Sequence, residues 1–514
     1  MSSPTRLCGT VTGATVHELR RARDQVSALV DLVELRLDGL VQPDVAAVVA
    51  DRPRPVIVTC RPAWEGGRFD GPEAVREQWL TDALIHGAEF VDVEWRAPFR
   101  DHLLQRDASR VVVSIHDFDG VPHDLASLVA TMSATKAAVV KVAVTVQRLA
   151  DLIPLLALGE QYHDRGIVVI GMGVAGVPSR ILAARFGSRW TYGGDAVAPG
   201  QLPVTRLRDE FRFARITSTS DVYALVGRPT GHSASPAMHN AAFAALGVEA
   251  AYVPCEPADF DDFLAFAVAV GLRGCSVTRP FKPSALAAAA HADPLSHRVG
   301  AANTLRRVGQ HWEACNTDVD GFLTPLRARR ALQGLAASVV GGGGAARAVV
   351  AGLVAEGADV AVHARRRDQA EALTALGARV GDWPPCSRSC DVLVNTTPVG
   401  TWPNVDALPV SISCLPGLAA GRARVQPGPA IVYDLVANPA ETRLLREARA
   451  RGCETISGLE MLVAQGAHQC EWWTGRPAPV EVMRDAAHRR LEHDSLSMPS
   501  ANENCKGELD KNSP

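Results

Sequence analysis

Apolar, β-branched runs recur through about the first 200 residues, at Leu7–Val11, Leu32–Leu37, Val56–Cys60, Phe90–Glu94, Val111–His116, Val139–Val144, Ile167–Met172 and Trp190–Gly193. Helix-compatible stretches such as Glu73–His86 and Leu125–Thr135 lie between them. Continuous apolar strands alternating with helices predict a parallel sheet covered on both faces. Eight such units predict a closed (β/α)8 TIM barrel. The polar stretch Thr217–Asp221 then reads as a linker. A second beat of strands follows at Val222–Val226, Ala251–Pro254 and Gly274–Thr278. After a break near Arg327–Arg330, Ser338–Val340 runs into four glycines, and further strands are expected at Val360–His363, Val392–Asn395 and Ile431–Asp434.

The class predicted is therefore α/β: a barrel over residues 1–216, then a two-lobed α/β half. Its first lobe spans 222–324 and its second, a doubly wound Rossmann-type lobe, 325–465. A C-terminal helix at 466–492 is expected to return to the first of these lobes. From about His493 the chain has few apolar groups to bury, so 493–514 is expected to be disordered. A length of 514 residues suits several cores rather than one, and 47% hydrophobic residues supply the material for them.

Charge narrows the partners. Lys+Arg total 53 against 56 Asp+Glu, a net charge of -3, so no basic excess points to nucleic acid or a membrane surface. No apolar run reaches the roughly 18 residues of a spanning helix. The start, MSSPTRLCGT, leaves room for neither a signal nor a transit peptide, so a cytoplasmic protein acting on small molecules is expected. Eleven cysteines are scattered, and Cys386 with Cys390 has no matching second pair or His partner. No metal site is expected.

In a barrel of this type chemistry sits at the C-terminal ends of the strands. Glu34 and Arg36 end the second strand, Arg61 and Glu65 follow the third, and His116 ends the fifth. Lys141 lies inside the apolar sixth strand. Desolvation there favours a neutral amine, which can attack a ketone to form a Schiff base; a lysine snorkelling from the rim is the plain alternative. His116 suits proton transfer, and Arg61 and Arg180 suit a carboxylate clamp.

These residues resemble type I 3-dehydroquinate dehydratase. The likeness covers about Leu7 to Arg208 through ELRLD (34–38), TCRPAWEGG (59–67), SIHDF (114–118), VKVAV (140–144), MGVAGVPSR (172–180), FGS (186–188) and APGQ (198–201). It implies that Lys141 forms an imine with the ring ketone of 3-dehydroquinate, that His116 moves the protons with help from Glu65, and that Glu34, Arg36, Arg61, Arg180 and Gln201 hold the substrate. Val197 stands where the family usually has a serine, four residues before the glutamine. The barrel and lysine alone would also allow a Schiff-base aldolase; the His116 and Glu65 motifs weigh against it.

In the C-terminal half, Val340-Gly-Gly-Gly-Gly-Ala-Ala-Arg347 joins a strand to a helix, a setting in which glycines let backbone approach a pyrophosphate. The following strand ends in Ala364-Arg-Arg-Arg367 rather than in an acid, which favours NADP over NAD. Ser233 and Ser235 precede a helix, and Thr278, Lys282, Asn303 and Asp318 fall in short polar clusters, each alone as compatible with a turn as with a site.

Together these clusters resemble shikimate dehydrogenase from about Tyr223 to Arg490, with NTTPVG (395–400), YDLVANP (433–439) and GLEMLVAQG (458–466) in family order. The resemblance implies that Lys282 and Asp318 are the catalytic pair, that Ser233 and Ser235 take the carboxylate, and that Thr278, Asn303 and Gln465 bind ring hydroxyls. Gly341, Gly343, Gly344, Ala345, Arg365, Arg366, Thr396 and Gly458 would hold NADP. Ser276 replaces a common asparagine. A fusion acting on 3-dehydroquinate, 3-dehydroshikimate and shikimate in series is the expectation. Two alternatives are a quinate-preferring enzyme, disfavoured by the two serines with Thr278, and a non-catalytic sensor, disfavoured by the presence of Lys141, His116, Lys282 and Asp318.

Overall fold

The computed structural model describes residues 4–194, 198–385, 390–415 and 428–497. Val197, Cys386 and the polar tail from 498 onward lie outside the described residues. The chain divides into two compact units, residues 1–230 with 249–273, and residues 231–248 with 274–514.

The first unit holds the eight strands that the pattern predicts: β1 (Arg6–Val11), β2 (Leu32–Arg36), β3 (Val56–Thr59), β4 (Phe90–Glu94), β5 (Val111–Asp117), β6 (Val139–Thr145), β7 (Ile167–Met172) and β8 (Trp190–Gly193). They form one parallel sheet in the order β7-β6-β5-β4-β3-β2-β1-β8. Its two ends meet through a bridge between Ile167 and Ser188, so the barrel is nearly closed. The two-residue period of each strand sorts the side chains. Cys8, Leu32, Ile57, Val112, Val139, Val168 and Trp190 belong to one apolar cluster. Two and four residues further along the same strands, on the same face, stand Thr10, Glu34, Arg36, Thr59, Ser114, His116 and Lys141. Helix α1 (Glu73–Ile85) covers the outside near β4, and the short α2 (Val177–Ile181) carries Arg180 after β7. The same unit contains the parallel pair β9 (Asp221–Val226) and β10 (Ala250–Cys255).

β11 (Leu272–Val277) begins at the boundary; β12 (His291–Ala292), β13 (Thr304–Val308) and β14 (His311–Cys315) belong to the second unit. β11 and β13 pair antiparallel, β13 and β14 form a hairpin, and β12 adds parallel to β14. The Rossmann-type sheet comprises β15 (Ala336–Val340), β16 (Asp359–His363), β17 (Arg379–Val380), β18 (Val392–Asn395), β19 (Ile431–Asp434) and β20 (Glu454–Ile456). Its order is β17-β16-β15-β18-β19-β20, all parallel. The pattern missed β12, β13, β14, β17 and β20: three are only two or three residues long, and the hairpin alternates arginines and a glutamate with its apolar residues.

The helices that shape this unit are α3 (Ser235–Leu246), α4 (Thr317–Arg327), α5 (Gly344–Ala355), α6 (Gly458–Thr474) and α7 (Val480–Ser497). α4 and α6 cross closely at Gly321, where a Cβ would lie 2.5 Å from that of Gln465. Ala234, Met238, Val463, Met483, Ala487 and Leu491 form one cluster, so α7 folds back against α3 and α6. Among the described residues no helix is long and apolar enough to cross a membrane.

Candidate active sites

A pocket of about 140 Å³ at the barrel mouth is lined by Glu34, Arg36, Arg61, Glu65, His116, Lys141, Arg180 and Gln201, all eight residues singled out for this half. The apolar setting expected of Lys141 is not what surrounds its amine. Its Nζ donates to Asp92 Oδ2 at 3.0 Å, lies 3.7 Å from Glu34 Oε1 and sits 4.5 Å from the Tyr192 ring centroid. The neighbours come from other strands, at positions that face the same interior; a reading of β6 alone sees only valines. Glu34 is fixed by the hydroxyls of Thr10 and Thr59, each at 2.9 Å.

Arg61 is fully engaged. It donates to Asp92 at 2.8 Å, to Glu94 at 2.6 Å and to Ser114 Oγ at 2.9 Å. Burial and then the pull of Arg61 and Lys141 act in opposite senses on Asp92; the two cations win and hold its carboxyl well below the usual range. Arg36 is likewise committed, to both oxygens of Asp38. Arg180 differs. It donates to the Pro199 carbonyl at 3.1 Å, its Nε is buried with no partner among the described residues, and burial lowers its pKa to about 10. A buried guanidinium with no carboxylate partner among the described residues favours an incoming anion.

Glu65 and His116 form a unit. Glu65 Oε1 accepts from the backbone N–H of His116 and from its Nδ1, both at 2.9 Å. Those partners assign the ring proton to Nδ1 and leave the lone pair on Nε2. Burial, then the Arg61 and Lys141 charges, push the imidazole pKa well below 6.5, so the ring is neutral near pH 7 and able to accept a proton. Burial lifts the Glu65 carboxyl against the pull of Arg61, to about 7.

In the second unit Lys282 Nζ donates to Asp318 Oδ2 at 2.5 Å, and Asn303 Nδ2 donates to Asp318 Oδ1 at 2.8 Å. Asn303 is itself oriented: its Oδ1 accepts from Thr317 N at 2.8 Å and Thr304 Oγ1 at 2.9 Å, and Gln465 Oε1 lies 3.4 Å from its amide nitrogen. Asp318 at the N-terminus of α4, Asn303 just before β13, Gln465 on α6 and Lys282 are thus brought together. Ser233 Oγ accepts from Ser235 N at 3.2 Å where α3 begins. Among the described residues no hydrogen bond joins Ser233, Ser235 or Thr278 to the Lys282 cluster. A wider hollow of about 440 Å³, beside Asp293, Cys315, His468 and Trp472, contains none of the predicted residues.

The glycine turn after β15 fits a dinucleotide. Gly341 has φ of 113°, and Gly343 and Gly344 have nothing within 4 Å of a notional Cβ, so a phosphate can approach the backbone. α5 starts at Gly344, with Ala345 in its first turn, and its unpaired N–H groups favour negative charge. Thr396 closes the floor by donating to the Val340 carbonyl at 2.8 Å, and Gly458 opens α6 where a Cβ would strike the Val436 carbonyl. Beyond β16, Arg366 pairs with Asp368 and Arg367 with Glu371, whereas exposed Arg365 makes no ion pair among the described residues.

Several residues that build these sites escaped the sequence reading. Asp92 and Ser114 did have a signal, since each is a polar residue on the inward parity of an otherwise apolar strand. Thr10 had the same signal on β1, whereas Tyr192 and Thr317 had none. Asp434, which accepts from Asn395 at 2.8 Å and Thr442 at 2.6 Å and so ties the NTTPVG turn to β19, lay inside a quoted motif without being singled out.

Comparison with known proteins adds three family matches. Residues 7–218 match type I 3-dehydroquinase, 225–305 the shikimate dehydrogenase substrate binding domain, and 458–488 the shikimate 5'-dehydrogenase C-terminal domain. The chain is 32% identical over 521 residues to the chloroplastic bifunctional 3-dehydroquinate dehydratase/shikimate dehydrogenase of Arabidopsis thaliana, covering 94% of this chain and 84% of that protein. It is 37% identical over 294 residues to a shikimate dehydrogenase (NADP(+)) of Thermosynechococcus vestitus, covering 54% of this chain and 98% of the relative. A crystal structure of a shikimate dehydrogenase in complex with NADP+ superposes with a TM-score of 0.50 at 30% identity, over 54% of this chain and 97% of that one.

Proposed function

The chain belongs to the family of bifunctional 3-dehydroquinate dehydratase/shikimate dehydrogenase proteins, and on that premise we propose that residues 1–216 dehydrate 3-dehydroquinate and that the remainder reduces the resulting 3-dehydroshikimate to shikimate with NADPH. Within the second half we assign 222–324 to substrate and 325–465 to the cofactor; the single returning helix expected over 466–492 is instead the end of α6 followed, after a break at 475–479, by α7.

In the first site the Lys141 ammonium and the substrate ketone combine to a protonated imine and one water. His116 Nε2 takes a proton from the adjacent carbon, and the electron pair moves toward the cationic nitrogen. The resulting enamine expels the neighbouring hydroxyl, which leaves as water after His116 returns the proton. Hydrolysis then frees the product and the lysine. Glu65 steadies the Nδ1 proton throughout. Arg180 takes the substrate carboxylate; Glu34, Arg36 and Gln201 meet the hydroxyls, and Arg61 balances the buried acids.

In the second site Ser233 and Ser235 take the carboxylate, and Thr278, Asn303 and Gln465 the ring hydroxyls. Lys282 and Asp318 hold or deliver the proton at the reacting oxygen. The turn at Gly341, Gly343, Gly344 and Ala345, with Thr396 and Gly458, accommodates the dinucleotide, and Arg365 and Arg366 favour a 2′-phosphate. NADPH, when bound, supplies the hydride. Cys8, Cys60, Cys255, Cys315 and Cys470 are free thiols, which supports a reducing compartment, and we take it to be the cytoplasm.

The observation that most supports this reading is one pocket holding an amine, a neutral imidazole and a buried guanidinium with no ion-pair partner among the described residues, in the same chain as a Lys282–Asp318 pair. Single-site variants test it. Lys141→Ala is expected to lose dehydratase turnover by about 1000-fold or more while still reducing 3-dehydroshikimate; Lys282→Ala is expected to do the reverse. Retained dehydratase turnover in Lys141→Ala refutes the assignment.

A further inference from the structure

A buried chain of alternating charges runs inward to Lys141. Arg76 of α1, fully buried, donates to Glu94 at 2.6 Å; Glu94 holds Arg61; Arg61 holds Asp92; Asp92 meets the lysine. The two oxygens of Asp92 are not equivalent. Oδ1 accepts from Arg61 Nη2 at 2.8 Å and from Ser114 Oγ at 2.6 Å, which fixes the carboxylate. Oδ2 is turned to Lys141 Nζ at 3.0 Å. Register explains the convergence: Glu94 pairs with Ser114 and Ser114 with Lys141 across adjacent strands, so these groups share one inward layer.

An ammonium has three N–H groups, whereas a protonated imine has one. Of the groups around Nζ, Glu34 lies beyond hydrogen-bond reach at 3.7 Å, and both its oxygens already accept from threonine hydroxyls. Tyr192 offers only its ring face. We propose that Asp92 is a positioning residue: its Oδ2 accepts the single N–H of the protonated imine, which sets the imine plane relative to His116 and keeps the electron-accepting nitrogen charged. Ser114 acts one step further out by holding Oδ1. The inference rests on the Schiff-base reading above.

The test uses the full chain with Asp92→Asn and, separately, Ser114→Ala. Steady-state dehydration is measured together with borohydride trapping of the lysine adduct, read by intact mass. Asp92→Asn is expected to lower kcat about 100-fold with KM within about threefold, and to slow trapping about tenfold. Ser114→Ala is expected to shift both in the same direction by about three- to tenfold. Reduction of 3-dehydroshikimate stays at the parent rate and reports that the rest of the chain is intact. A purely structural role lowers thermal stability without splitting kcat from KM. If Asp92→Asn does not fold, Ser114→Ala decides: parent kcat and trapping overturn the proposal. Parent-like trapping and kcat in Asp92→Asn overturn it as well, with the Schiff base left standing. A parent protein that yields no trapped adduct removes both readings together.

Discussion

Glu65→Gln separates a charge from a shape. The amide that replaces the carboxylate is isosteric with it and keeps an oxygen for the two N–H donors of His116, but it cannot ionise. In the folded chain burial raises the Glu65 carboxyl from 4.5 to about 7, a difference of about 2.5 units or about 3 kcal/mol at 1.36 kcal/mol per unit. Because the folded pKa is the higher one, the folded state holds this proton longer than the unfolded chain does. The stabilisation is complete below about pH 4.5 and is lost as pH rises to about 7. Subtracting parent from variant cancels every other titrating group, so the stability gap between Glu65→Gln and the parent should widen by about 3 kcal/mol in favour of the variant between pH 4.5 and pH 8. Unfolding of a chain with several cores is not one transition. Hydrogen exchange on peptides spanning Val111–Thr145, converted to opening free energies, reads the barrel alone. The same substitution should abolish an acid limb near pH 7 in dehydratase kcat/KM. A gap that changes by less than about 1 kcal/mol refutes the reasoning, for it would mean that Glu65 is not held in a setting that resists its charge.

Two further outcomes follow from cations that make no ion pair among the described residues. Arg180→Ala should lower kcat/KM for 3-dehydroquinate by about 10- to 100-fold, mostly through KM, since one charge-assisted contact contributes about 1.5–3 kcal/mol; initial-rate kinetics show whether KM moves. Arg365→Ala should raise KM for NADPH about tenfold and leave KM for NADH unchanged, and a parallel rise for both cofactors would assign Arg365 no part in reading the 2′-phosphate.

Much of the barrel was legible because its strands are nearly continuous apolar runs, and all eight start and stop within a residue or so of the expected places. Lys141 stood out for the same reason, as a polar residue inside an apolar run, and His116 as a histidine at a strand end. What the one-dimensional pattern hides is the partner from another strand. Lys141 looks isolated among valines, yet Asp92 lies 49 positions away in sequence and within hydrogen-bond distance in space. Arg61 and Arg180 looked like equal candidates for a carboxylate; only the structure shows that Asp92 and Glu94 already occupy the first. The β13–β14 hairpin was missed because Arg306, Arg307 and Glu313 interrupt its apolar residues; Arg306 pairs with Glu313 across it, while Leu305, Trp312 and Ala314 are buried. The predicted tail overlaps α7, which continues to Ser497.

The central claim is that one chain carries two sites in series. The most direct measurement supplies the purified protein with 3-dehydroquinate and NADPH alone and follows NADPH absorbance against shikimate formed. The account predicts one NADPH consumed per 3-dehydroquinate converted, with no added enzyme. NADPH consumption that appears only when 3-dehydroshikimate is supplied would contradict it.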